Sequence, residues 1–191
     1  VLRVAEGQIV GLTQLQSKDA TGSVGGQGID WQGYEGIVNP LLEDPGIVPS
    51  EVLYETGLAK SWNVAYDLSN ITFSLERGVQ WHDGWGELTA EDVVWTYNNS
   101  FIEGSVGNAG DQLSAGIKAG WEVFDKYTAV MNIAPGGFDY SWGVYVGGFG
   151  WDNTYGMTCK HCFDELGEDE FMTTPIGTGP YEAVKWSANN E

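Results

Sequence analysis

Hydrophobic and polar positions alternate most cleanly between residues 62 and 76. Trp62 and Val64 lead to a turn at Asp67-Leu68-Ser69-Asn70, after which Ile71, Phe73 and Leu75 interleave with Thr72, Ser74 and Glu76. A period of two sends alternate side chains to opposite faces, the signature of a strand with one buried side. Arg77-Gly78 turns the chain, and Val79 and Trp81 continue it. A second alternation runs from Trp121 and Val123, through a turn at Asp125-Lys126, to Tyr127, Ala129, Met131 and Ile133. Pro135 stops it, because proline has no N–H to give a sheet. The period changes after Thr89, where Val93, Val94, Tyr97 and Phe101 fall on one face of a helix. The Thr89 hydroxyl is placed to cap that helix, and Glu91 and Asp92 sit where its dipole favours negative charge. Residues 17–28 and 103–116 are small and polar and read as loops, and residues 136–156 are rich in glycine and aromatics. A short acidic segment, Asp164 to Phe171, precedes TPIGTGPYEAVKW. Strands mixed with few helices predict an α/β or α+β domain.

Composition narrows the function. The 191 residues include 27 acidic and 8 basic side chains, a formal net charge of −19. That balance argues against a protein that tracks phosphates along nucleic acid or binds anionic membranes. It suits a salty or extracellular setting, where screening relieves self-repulsion, and equally an ordinary acidic surface. Nine Trp, nine Tyr and seven Phe exclude general disorder despite the charge. Neither a basic-then-apolar leader nor an apolar run of about 18 residues is present, so the sequence predicts no signal peptide and no membrane span. The opening Val1-Leu2-Arg3-Val4-Ala5 reads as a strand, as in a processed or trimmed chain.

Chemistry-bearing clusters are few. Two histidines and the absence of a G-x-S-x-G pattern leave hydrolase chemistry without a named base, and phosphate-cradling glycine loops with the right flanks are missing. No catalytic residue and no cofactor is therefore assigned. His82 has no second metal ligand at useful spacing. Cys159-Lys160-His161-Cys162 is the one loaded segment. Outside the cytosol, two cysteines most simply form a disulfide closing a small loop. A redox pair and a zinc site with a distant ligand are the alternatives, the former opposed by acidic neighbours that disfavour a thiolate. Asn70-Ile71-Thr72 has the pattern of a glycan acceptor.

Three segments in this order resemble the extracytoplasmic solute-binding proteins of peptide-type ABC importers, the oligopeptide- and dipeptide-binding family 5. They are GLAKSWNVAYDLSNITFSLERGVQWHDG (Gly57–Gly84), LTAEDVVWTYN (Leu88–Asn98) and PIGTGPYEAVKW (Pro175–Trp186). The resemblance implies an α/β fold, a mixed β-sheet with flanking helices, forming lobe I of a bilobal periplasmic-binding-protein-like architecture (type II, cluster C). Residues 1–191 would be the N-terminal part of lobe I, with the second lobe outside this sequence. The implied function is capture of a peptide or related solute, outside the cytoplasm or in the periplasm, by hinge closure, with no bond made or broken. Partners would be that solute and an ABC permease, with a possible lipid anchor beyond the sequence. The rival readings are a secreted assembly protein reusing the lobe, and a binder of oligosaccharide or metal chelate.

A cleft needs aromatic faces, backbone donors and a few charges on loops at the lobe edge. The family places the loop Glu6-Gly7-Gln8 at the cleft. Trp31 and Tyr34, flanking Gly33, and the aromatics Trp142, Tyr145, Phe149 and Trp151 are the other candidate ligand contacts. Core packing is the competing role for each of these rings.

Overall fold

The computed structural model describes residues 35–40, 54–100, 120–138, 156–171 and 174–182. Its centre is a four-stranded antiparallel sheet made of the two hairpins that the alternation predicts. After a short ribbon of β1 (Val38–Pro40) and β2 (Tyr54–Thr56), β3 (Ala59–Val64) and β4 (Asn70–Leu75) form the first hairpin. β5 (Trp121–Asp125) and β6 (Thr128–Asn132) form the second. The four strands assemble in the order β3-β4-β6-β5. Every strand pair among the described residues is antiparallel. The ribbon joins the sheet where the Leu58 and Ala59 N–H groups donate to the Gly36 and Ile37 carbonyls.

Register explains the core. Trp62 lies opposite Phe73, Phe73 opposite Ala129, and Ile71 between Val64 and Met131, so the inward residues of neighbouring strands share one face. That face is covered by α1 (Ala90–Ser100), whose Val93 and Tyr97 are fully buried as the helical spacing predicts. The Trp121 ring stacks between Phe73, 5.3 Å away, and Tyr97, 4.3 Å away. Phe101, placed on the same helix face by sequence, lies outside the described residues.

The hairpin turns follow local chemistry. Asp67 Oδ1 accepts from the Ser69 N–H at 3.1 Å and the Ser69 hydroxyl at 2.7 Å, closing an Asx turn. Leu68 takes the left-handed conformation there, with φ +60°. In the second hairpin the Tyr127 N–H donates to Asp125 Oδ1 at 2.8 Å, performing the same service.

Two short helices, α2 (Lys160–Leu166) and α3 (Glu168–Phe171), follow, and α2 packs against α1. Phe163 and Phe171 meet edge to face and both contact Trp95. Acidic side chains crowd the first turn of α3, at its positive dipole end. Among the described residues no helix is long and apolar enough to cross a membrane.

Candidate functional site

The described residues bring together the three motif segments. The continuation expected through Val79 and Trp81 is not a strand: Gln80 makes a single bridge to Glu87, Trp81 is extended, and His82-Asp83-Gly84 forms a single 3-10 turn. Asp83 and Gly84 both take positive φ, +57° and +77°. This geometry turns the His82 ring inward to 9% exposure, where it meets the segment Gly177-Thr178-Gly179.

Three hydrogen bonds make that contact. The His82 N–H donates to the Gly177 carbonyl at 2.9 Å. The Gly177 N–H donates to His82 Nδ1 at 3.3 Å, and Nε2 lies 2.8 Å from the Gly179 carbonyl. The contacts assign Nδ1 as the acceptor and leave Nε2 facing the Gly179 carbonyl as the donor. Both ring nitrogens are thus engaged with backbone. Among the described residues, no group of three or more His, Cys, Asp or Glu side chains is placed to hold a metal ion.

Asp92 forms a second junction. Its Oδ2 accepts from the Thr89 N–H at 2.8 Å and from the Thr89 hydroxyl at 3.2 Å. Its Oδ1 accepts from the Lys160 N–H at 2.9 Å, and the Trp81 side chain also donates to it. One carboxylate therefore caps α1 and the first turn of α2 while holding the extended segment that leads to His82. This corrects the sequence expectation for the cap: the Thr89 hydroxyl donates to Asp92, and the Asp92 side chain does the capping by reaching back to the Thr89 N–H. The Thr89-x-x-Asp92 spacing is a capping-box pattern with a shorter acid, and it was the signal for this role. Burial pushes the Asp92 carboxyl up from its ordinary value, and the Thr89 and Lys160 N–H groups oppose that shift.

Thr96 extends this junction. Its hydroxyl donates to the Asp92 carbonyl at 2.7 Å and accepts from the Thr158 N–H at 3.0 Å. The next residue, Cys159, is the N-cap of α2, and its sulfur accepts from the Cys162 N–H at 3.1 Å. The Cys159 and Cys162 sulfurs lie 2.01 Å apart with their Cα atoms 5.3 Å apart, and both residues are fully buried. His161 points outward instead, edge-on to Trp85 and 3.1 Å from Glu165.

Elsewhere on the sheet, Glu87 collects the second hairpin. It accepts from Lys126 Nζ and the Tyr127 hydroxyl, each at 2.9 Å, and from the Gly78 N–H at 2.6 Å. These partners, Lys126 foremost, hold its carboxyl down to about 2. Arg77 and Lys126 each place a cation 4.9 Å from the centre of the Tyr127 ring.

The candidate ligand contacts Glu6, Gly7, Gln8, Trp31, Tyr34, Trp142, Tyr145, Phe149 and Trp151 all lie outside the described residues. What the structure provides is a scaffold in which residues far apart in sequence are fixed by buried polar contacts.

Comparison with known proteins agrees with this scaffold. The profile of the bacterial extracellular solute-binding proteins, family 5 (middle) matches residues 54–191. No protein with a curated description matches. Among solved structures, MoaA from A. tumefaciens R10, in complex with mannopinic acid, is 25% identical with a TM-score of 0.68. The match covers 92% of this chain and 32% of that one. DppA from Helicobacter pylori, in complex with the peptide STSA, is 19% identical with a TM-score of 0.65, covering 93% and 35%. NikZ from Campylobacter jejuni, in complex with Ni(L-His), is 20% identical with a TM-score of 0.65, covering 95% and 32%. The chain thus spans about a third of the length of these structures. It forms part of a periplasmic-binding-protein fold.

Proposed function

The chain belongs to the bacterial extracellular solute-binding proteins of family 5, a family of binding proteins and not of enzymes, and we propose that it builds part of the first lobe of a two-lobed receptor. The receptor captures a peptide or related solute outside the cytoplasm and delivers it to an ABC importer. The observation that carries this reading is the clasp between His82 and Gly177-Thr178-Gly179. It joins two of the family-like segments within the matched region. Hinge closure then needs two rigid bodies and a short link, and a link pinned by buried hydrogen bonds gives a defined pivot.

Ligand capture in this scheme uses main-chain hydrogen bonds to the peptide backbone and roomy, wet pockets for its side chains. Glu6, Gly7, Gln8, Trp31, Tyr34 and the aromatics Trp142, Tyr145, Phe149 and Trp151 are the proposed contacts. The second lobe completes the cleft. The paired Cys159 and Cys162 serve as a structural disulfide, because both sulfurs are shielded from solvent and the bridge ties off the start of α2.

The reading frame beyond Glu191 tests the architecture, which expects a continuation with a second lobe; a stop codon there overturns it. Calorimetry with mixed short peptides tests the capture. The 191-residue chain is expected to bind only weakly, and micromolar affinity for it alone contradicts the two-lobe reading. Mass spectrometry after alkylation, with and without reductant, tests the disulfide, and a free thiol at either cysteine overturns it.

A further inference from the structure

We propose that Asn70 is the acceptor of an N-linked oligosaccharide. Asn70-Ile71-Thr72 carries the acceptor pattern, a carboxamide followed two residues later by a hydroxyl. Patterns of this kind are common, and the structure decides whether one is usable.

Asn70 is the first residue of β4, directly after the Asp67–Ser69 turn. Ile71, Phe73 and Leu75 point into the core, so Asn70 and Thr72 share the opposite face of the strand. Two residues of extended chain separate their Cα atoms by about 7 Å. Their register partners are small or amide-bearing: Asn132 beside Asn70, and Asn63 and Val130 beside Thr72. The Asn70 carboxamide donates from Nδ2 to the Ser69 hydroxyl at 3.2 Å, an exposed contact with its own neighbour. Tyr66 is fully exposed and Leu68 is 40% exposed in the adjoining turn.

A second triplet of the same pattern, Asn98-Asn99-Ser100, shows what an unusable one looks like. Asn98 belongs to α1, and its carboxamide is spent in both directions on the Trp121 main chain. Oδ1 accepts from the Trp121 N–H and Nδ2 donates to the Trp121 carbonyl, each at 2.9 Å. A sugar on that nitrogen displaces the bonds that seat α1 against β5. A sugar on Asn70 gives up only a contact with the adjacent serine.

The chemistry balances with a polyprenyl-diphosphate-linked oligosaccharide as donor. The Asn70 Nδ2 attacks the anomeric carbon and a C–N bond forms. The anomeric C–O bond to phosphate breaks, its electron pair leaving with the lipid diphosphate, and one amide proton passes to a base. Nothing is oxidised or reduced. The inference draws on the family's extracellular placement but not on any cargo or second lobe, so the calorimetry above and the test below fail independently.

The test is peptide mapping by mass spectrometry of the protein isolated from its own cells. Cleavage after Lys60 and Arg77 releases residues 61–77, which contain Asn70 and no other acceptor pattern. The expected result is that this peptide carries an increment of whole monosaccharide residues. The increment is lost in Asn70→Gln and Thr72→Val and retained in Thr72→Ser. A wild-type peptide that is only unmodified overturns the proposal, as does an increment that survives Thr72→Val. The wild-type map stands even if a variant fails to fold.

Discussion

Single residues in this protein act as junctions. Asp92 accepts hydrogen bonds from two helix starts and from Trp81, so Asp92→Ala leaves several buried donors unpaired. Chemical denaturation is expected to show a loss of about 3 kcal/mol, in the range for stranding buried polar groups. Glu87 offers a pH prediction. Its folded pKa of about 2 lies below its ordinary value of 4.5, so the carboxylate favours the folded state above that value. The contribution is lost as pH falls from 4.5 towards about 2. Carbon-13 NMR should place the Glu87 midpoint near 2, and a midpoint near 4.5 would remove the Lys126–Tyr127 arrangement from solution. His82 gives a graded test. Asn at this position keeps the acceptor for the Gly177 N–H, Gln keeps the donor to the Gly179 carbonyl, and Leu keeps neither. Amide exchange at Gly177 is expected to be fastest in His82→Leu and His82→Gln and slower in His82→Asn, whereas equal rates in all three would deny the ring its role.

At the scale of elements, strands and helix were legible because their alternation is local. Ile71, Phe73 and Leu75 announced β4, and Val93 and Tyr97 announced the buried face of α1, since a period of two or 3.6 needs no knowledge of partners. The order β3-β4-β6-β5 was not legible. Nothing in residues 121–133 states that their hairpin lies beside β4, because that pairing is a matter of shared core volume. The cap of α1 was half legible: the site was clear from Thr89, but the bonding direction depended on Asp92 being drawn inward by Lys160 from far along the chain. The disulfide reading drew on two cysteines at short spacing. The candidate cleft residues drew on resemblance and on the chemistry of clefts, and the described scaffold neither gathers nor separates them. Gly57 carried no signal of its own, since its need for a small side chain arises only from a distant segment. A Cβ there would stand 2.5 Å from the Gly36 carbonyl oxygen, where the β1–β2 ribbon crosses onto β3. Gly57→Ala is expected to lower stability by about 1–3 kcal/mol by forcing that crossing apart. Thermal melting unchanged by the substitution would show that the ribbon can shift.

For the whole molecule, charge is the strongest influence that solvent can change. A net charge of −19 on 191 residues opposes the compact state through self-repulsion, and salt relieves it. The melting temperature is expected to rise steeply with added KCl or NaCl, to similar extents, because screening depends on ionic strength. A flat salt response would mean that the carboxylates are spaced widely enough not to feel one another. The clasp at His82 has a further consequence, for biosynthesis. Its partners lie 95 and 97 positions downstream. On the ribosome the imidazole must wait, uncompensated, until the segment around Gly177 has been threaded out, so the hairpins must hold their shape before this contact can form.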